Sequence, residues 1–195
     1  MGKFSELVSK LEIGESITDS RTGHSGELLM RERFPSAYKW DEAAAMGMVR
    51  DRIPPGLARF IESQQFFFIA TANAHGHCDA SFRGREYSAF GKPLPVALAV
   101  DEFRLIFPDY SGNGLYNSLG NIATNPHIGM LFIDFQRQQR ARVNGKAAIT
   151  PANAEVKEIW PMAQAVVVVM VEQAYPNCSA RIPRFTTVPE SDLTE

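Results

Sequence analysis

Apolar positions change their period along the chain, and the change predicts the elements. From Phe66 to Ala72 the run FFFIATA is aromatic and β-branched, then Asn73-Ala74-His75-Gly76 supplies turn chemistry and Cys78 to Phe82 resumes, which is the pattern of a hairpin. Val96 to Val100 and Phe103 to Phe107 make a second hairpin around Asp101-Glu102. Ile128 to Phe135 is another strand, and Arg140 to Ile149 alternates, with Arg140, Arg142, Asn144 and Lys146 on one face and Ala141, Val143 and Ala147 on the other. Val166 to Val171 is unbroken by polar residues, as in a strand buried on both faces.

Between these stretches the period lengthens to that of a helix. Asp41 to Val49 has an acidic start and an alanine-rich body, and Pro55 to Gln65 places Leu57, Phe60 and Ile61 on one face. Thr150-Pro151 reads as a capping hydroxyl followed by proline at the first helical position, opening a helix from Ala152 to Trp160. About six strands joined mostly by hairpins, with helices around them, predict a mainly β fold, an antiparallel barrel with helical covers. Residues 1–50 are expected to form an N-terminal helical arm, in which Leu7, Leu11 and Ile13 could dock on the body. Residues 51–195 form the barrel and its C-terminal tail.

One stretch concentrates polar chemistry within this apolar frame. Leu105 to Phe107 runs into Pro108, Asp109, Gly112, Asn113 and Gly114, where no regular ladder continues. Leu115, Leu119 and Ile122 then recur at helical spacing until Asn125-Pro126 stops the helix. Strand, glycine loop and short helix put free N–H groups at a helix N-terminus, where an anion such as phosphate is stabilised. The alternative is an ordinary crossover helix with a wet polar face.

Composition narrows the function classes. The 195 residues carry a formal net charge of -2 without a basic stripe, so nucleic acid is not an expected partner. Two cysteines, Cys78 and Cys178, are too few for a secreted disulfide framework and fit a reducing, cytoplasmic setting. The longest apolar run, Ala165 to Val171, is too short to span a bilayer, and no membrane partner is expected.

No GxSxG, HExxH, P-loop or strand-linked GxGxxG occurs, which removes the usual support for hydrolase, zinc-protease and dinucleotide-fold readings. His75-Gly76-His77-Cys78 has zinc-ligand chemistry, but its groups crowd into one turn with nothing to complete a tetrahedron, and a turn with solvent-facing histidines is expected. His24 and His127 stand alone. Ser81, Arg83, Asn113, Asn117, Ser118, Arg140 and Arg142 suit an anion attached to something flat. Against this, Arg140, Arg142 and Lys146 also suit the solvated side of an edge strand.

Three segments in register, FFFIATANAHGHCDASFRG, LIFPDYSGNGLYNSLGNIATNPHIGMLF and RARVNGKA, resemble the pyridoxamine 5'-phosphate oxidase-related family of FMN-binding split barrels. The resemblance covers about Ile53 to Ile149, and AYPNCSARI is similar to a tail segment of an uncharacterised branch. It implies a six-stranded antiparallel split barrel, a homodimer with FMN at the subunit interface, and oxidoreductase chemistry with a small-molecule electron donor or acceptor. A non-catalytic flavin or haem carrier is the alternative.

By position, the family's phosphate-holding residues fall on Tyr116, Asn117 and Ser118, with Asn117-Ser118 in place of an Arg-Lys pair. Arg83 is the cation expected to compensate, with Ser81 and Asn113 as neutral donors. Arg140 stands where the oxidase presents a glutamine to the flavin ring. The implied cofactor-binding set is therefore Ser81, Arg83, Asp109, Asn113, Asn117, Ser118 and Arg140. The oxidase's C-terminal substrate-binding pattern has no counterpart, which points away from vitamin B6 phosphate as substrate.

Overall fold

A computed structural model describes residues 23–34 and 47–186. The dockable Leu7, Leu11 and Ile13, and all but the end of the helix expected at Asp41 to Val49, lie outside the described residues. The element order is α1 (Ser25–Arg33), α2 (Pro55–Glu62), β1 (Phe66–Ala72), β2 (Cys78–Gly84), β3 (Leu98–Ala99), β4 (Arg104–Tyr110), α3 (Asn117–Thr124), β5 (His127–Asp134), β6 (Gln139–Pro151), α4 (Ala154–Ile159) and β7 (Ala163–Asn177). All seven strands join one sheet in the order β2-β1-β5-β6-β7-β4-β3, and every pairing is antiparallel. Among the described residues the strands thus number seven, one for each stretch read as a strand in the sequence, against the six that the family resemblance implies. The strand expected at Val96 to Val100 is shorter than read: β3 is a two-residue edge, and Val96 and Ala97 are buried without joining the ladder.

The sheet curls on itself. β1 and β4 are separated by three strands in the sheet order, yet the rings of Phe67 and Phe107 meet edge to face with centroids 5.3 Å apart. Phe67 also stacks on Phe132 at 5.0 Å. The barrel is closed by side chains instead of a continuous ladder, which makes it split. Among the described residues, no helix is long and apolar enough to cross a membrane.

The valine run of β7 shows why its sequence does not alternate. Val167, Val169 and Val171 face the main core with Phe67, Phe107 and Phe132, whereas Val166 and Val168 face a second cluster with Trp160, Val156 and Ile106. Trp160 reaches that cluster fully buried, and its indole N–H donates to the carbonyl of Pro95 at 2.7 Å. Burying an indole without such a partner would cost about 2 kcal/mol.

Two bulges shape β7. Its pairing with β6 shifts between Asn144 and Gly145, and its pairing with β4 shifts between Asp109 and Tyr110. In each case β7 supplies the extra residue, Glu172 and Gln164 respectively. At the first, a Cβ on Gly145 would collide with the carbonyl oxygen of Met170, so the close approach of backbone to backbone requires glycine.

Local chemistry corrects one expected boundary and gives one lone histidine a role. Thr150-Pro151 does not open the last helix, because β6 keeps pairing with β7 as far as Pro151 opposite Ala165. Asn153 caps α4 instead, its Oδ1 accepting from the N–H of Val156 at 3.0 Å. His24, alone in sequence, caps α1: its ring nitrogen accepts from the N–H of Gly26, and Glu27 accepts from the N–H of His24.

Candidate functional site

β4 runs out at Tyr110, and the polar loop that follows turns through Gly114 at φ 78° and Tyr116 at φ 52° before α3 begins. A left-handed tyrosine costs about 1 kcal/mol, so the conformation is held by its surroundings. Asn113 Oδ1 accepts from the N–H of Leu115 at 3.1 Å, which commits the oxygen within the loop. α3 has no side-chain cap, so its first-turn N–H groups remain for another acceptor.

Three contacts fix α3 to the barrel. Ser118 Oγ donates to Asp79 Oδ2 at 2.8 Å, Asn121 Nδ2 donates to Thr71 Oγ1 at 3.1 Å, and Ile122 is buried in the main core. The helix start therefore faces β2 across a cavity of about 410 Å³. Ser81 and Arg83 come to it from β2, Asp109 from β4, Asn113 from the loop, and Asn117 and Ser118 from α3. Six of the seven expected residues are thus brought together. Arg140 is not; it lines a separate cavity, and the two share no lining residue among the described ones.

Arg83 Nη1 donates to Asp109 Oδ1 at 2.7 Å, with the two side chains 18% and 6% exposed. The other carboxylate oxygen accepts from Gln164 Nε2 at 2.8 Å. Arg83 Nε is buried without a partner, so the guanidinium keeps donor capacity. Asp79 also lines the cavity, and among the described residues the lining holds one cation against two carboxylates. Donors are therefore plentiful, while the charge balance is mildly adverse to an anion.

Tyr110 and Gln164 line this cavity and were not singled out in the sequence. Gln164 is aimed at Asp109 by the β7 bulge, which a sequence does not announce. The Tyr110 hydroxyl is buried without a partner, and burial first, then the charge of Glu86, raises its pKa well above the usual phenol range.

The His75-Gly76-His77-Cys78 segment forms the β1–β2 turn, organised by Asn73 Oδ1, which accepts from the N–H groups of His75 (2.9 Å) and His77 (3.0 Å). Gly76 takes φ 83° there, and the histidines and Cys78 are exposed. Among the described residues, no three His, Cys, Asp or Glu side chains gather closely enough to hold a metal ion.

The sequence profile of the family described as Pyridoxamine 5'-phosphate oxidase matches residues 53–187. No curated protein matches the sequence significantly. Among solved structures, HupZ from Group A Streptococcus is 22% identical over 64% of this chain and 93% of its own, with a TM-score of 0.48. HutZ from Vibrio cholerae, described as a haem storage protein, is 12% identical over 62% of this chain and 90% of its own, with a TM-score of 0.40. General stress protein 26 from Bacillus anthracis is 14% identical over 60% of this chain and 88% of its own, also at 0.40. Matched by the family profile from Ile53 through both hairpins, the polar loop and β7, this split antiparallel barrel belongs to the pyridoxamine 5'-phosphate oxidase family.

Proposed function

We propose that the chain binds FMN, with the phosphate at the start of α3, and works as a flavin-dependent oxidoreductase on a small-molecule electron donor or acceptor. The observation that supports this is the convergence of Ser81, Arg83, Asn113, Asn117 and Ser118 on one cavity beside an uncapped helix N-terminus. In this reading Asn117 and the first-turn N–H groups hold the phosphate, Arg83 supplies the charge it shares with Asp109, and Ser118 keeps α3 in place through Asp79. Bound flavin would supply hydride transfer at N5. No histidine lines the cavity, so the chain contributes position and electrostatics without an imidazole base.

The homodimer with FMN at its interface belongs to the same proposal, as does a cytoplasmic setting, which suits two free, exposed cysteines. Arg140 does not enter the phosphate seat.

An FMN titration of the purified protein, read by quenching of flavin fluorescence, tests the proposal with Asn117→Asp as its probe. Asn117 is exposed at the first position of α3, so an aspartate there suits the helix dipole and leaves the fold intact. The added charge faces the phosphate, and FMN affinity is expected to fall at least tenfold. Equal affinity in both proteins removes the phosphate from this seat. FMN binding without oxidation of NADH or NADPH would leave a flavin carrier, and a haem spectrum in the purified protein would replace the flavin altogether.

A further inference from the structure

The seat at the start of α3 is short of one proton. Ser118, the second residue of α3, is 5% exposed, and the single proton of its hydroxyl goes to Asp79 Oδ2 at 2.8 Å. An ionised carboxylate only accepts, so while Asp79 is charged that hydroxyl offers a phosphate nothing but lone pairs. Asp79 itself is half-buried in the cavity lining. Among the described residues it has no cation of its own, because Arg83, the one cation of the lining, donates to Asp109.

The groups around Asp79 do not relieve the shortage. β1 and α3, which pack on β2 there, carry no charged side chain. Residues 111–116 contribute only the phenol of Tyr116, and across the cavity Tyr110 stays neutral because burial, then Glu86, raises its pKa. Cys78 leaves the opposite face of β2, and in the preceding turn His77 Nδ1 lies 3.4 Å from Asn73 Nδ2. A phosphate monoester at neutral pH carries about −1.5 to −2 charges and is likewise an acceptor, so it meets a seat that has given its hydroxyl proton away.

We propose that phosphate enters this seat together with one proton, which Asp79 and Ser118 take up as a pair. The proposal rests on the placement of the FMN phosphate at α3 and names what regulates binding there. The proton comes from solvent to Asp79 Oδ2. The carboxyl then donates to Ser118 Oγ, and the hydroxyl proton of Ser118 becomes available to the phosphate. No bond between heavy atoms changes, and the complex holds one proton more than its separate parts. By linkage, affinity rises as pH falls, about tenfold per unit while the free pair is unprotonated.

The test is calorimetric titration of the full chain with FMN between about pH 8 and about pH 6, in buffers of different ionisation enthalpy. The wild-type chain is expected to take up close to one proton per FMN and to gain at least tenfold in affinity across that range. Riboflavin, which lacks the phosphate, is expected to show neither effect. Asp79→Asn keeps an acceptor for Ser118 and adds a donor without charge. Its FMN affinity is expected to stay, without proton uptake, at the level that the wild-type chain reaches at the acid end. Ser118→Ala is expected to be equally flat, at the level of the alkaline end. FMN binding by the wild-type chain without proton uptake, or uptake that survives in either variant, would overturn the proposal and leave the phosphate seat standing. No FMN binding at any pH would remove the seat and the proposal with it.

Discussion

Arg83 Nη1 lies 2.7 Å from Asp109 Oδ1, and this contact ties β2, at one edge of the sheet, to β4, next to the other. It closes the barrel where no backbone ladder does. With both side chains largely removed from solvent, deleting either one leaves a charge without its partner. Arg83→Ala and Asp109→Ala are each expected to destabilise by about 3 kcal/mol in urea unfolding. The double replacement is expected to cost clearly less than the sum, and strict additivity would show that the pair contributes nothing as a pair.

The same contact sets the affinity of the proposed phosphate seat. Asp109→Asn removes one of the two carboxylates facing the cavity and releases Arg83 from competition. FMN binding is expected to tighten about tenfold while the fold loses stability, a combination of signs that simple loss of structure does not give. An affinity that falls with stability would contradict it.

Tyr110 gives a pH signature. Burial, then Glu86, raises its pKa in the folded state, so the neutral phenol stabilises the fold fully below the unfolded value of about 10 and that contribution is lost as pH rises through the folded value. Urea midpoints are expected to fall from about pH 10 upward, less steeply in Tyr110→Phe. At neutral pH the same variant is expected to gain about 1 kcal/mol, because it deletes a buried hydroxyl that has no partner. A loss at neutral pH would mean that the hydroxyl is satisfied after all.

Gly145 tests the bulge between β6 and β7. Gly145→Ala drives a Cβ into the Met170 carbonyl, and a loss of about 3 kcal/mol in thermal or urea unfolding is expected. Wild-type stability would show that the two strands separate there at no cost.

The sequence carries the strands well where period and turn chemistry agree. Phe66–Ala72 is found as read, and Asn73 turns the chain before Cys78 as its dipeptide signals imply. Boundaries failed where tertiary pairing overrides a local signal, as at Thr150-Pro151, held extended by β7. The loop and helix after Asp109 were legible because glycines, asparagines and a helix stop fall within one short stretch. Gln164 was not legible, since its aim depends on an unpaired residue in β7, and Asp109 was legible as a site residue but not as the partner of Arg83. Arg140, read as a contact of the flavin ring and not of the phosphate, lines a different cavity because β6 pairs it with Asn177 of β7, away from the start of α3.

The most direct measurement of the phosphate seat compares FMN with riboflavin, which differ only in that group. If α3 and Arg83 hold the phosphate, the wild-type chain binds FMN at least tenfold more tightly than riboflavin, and Asn117→Asp erases the difference by weakening FMN alone. Equal binding of the two flavins by the wild-type chain, or a preference untouched by the aspartate, would contradict the assignment.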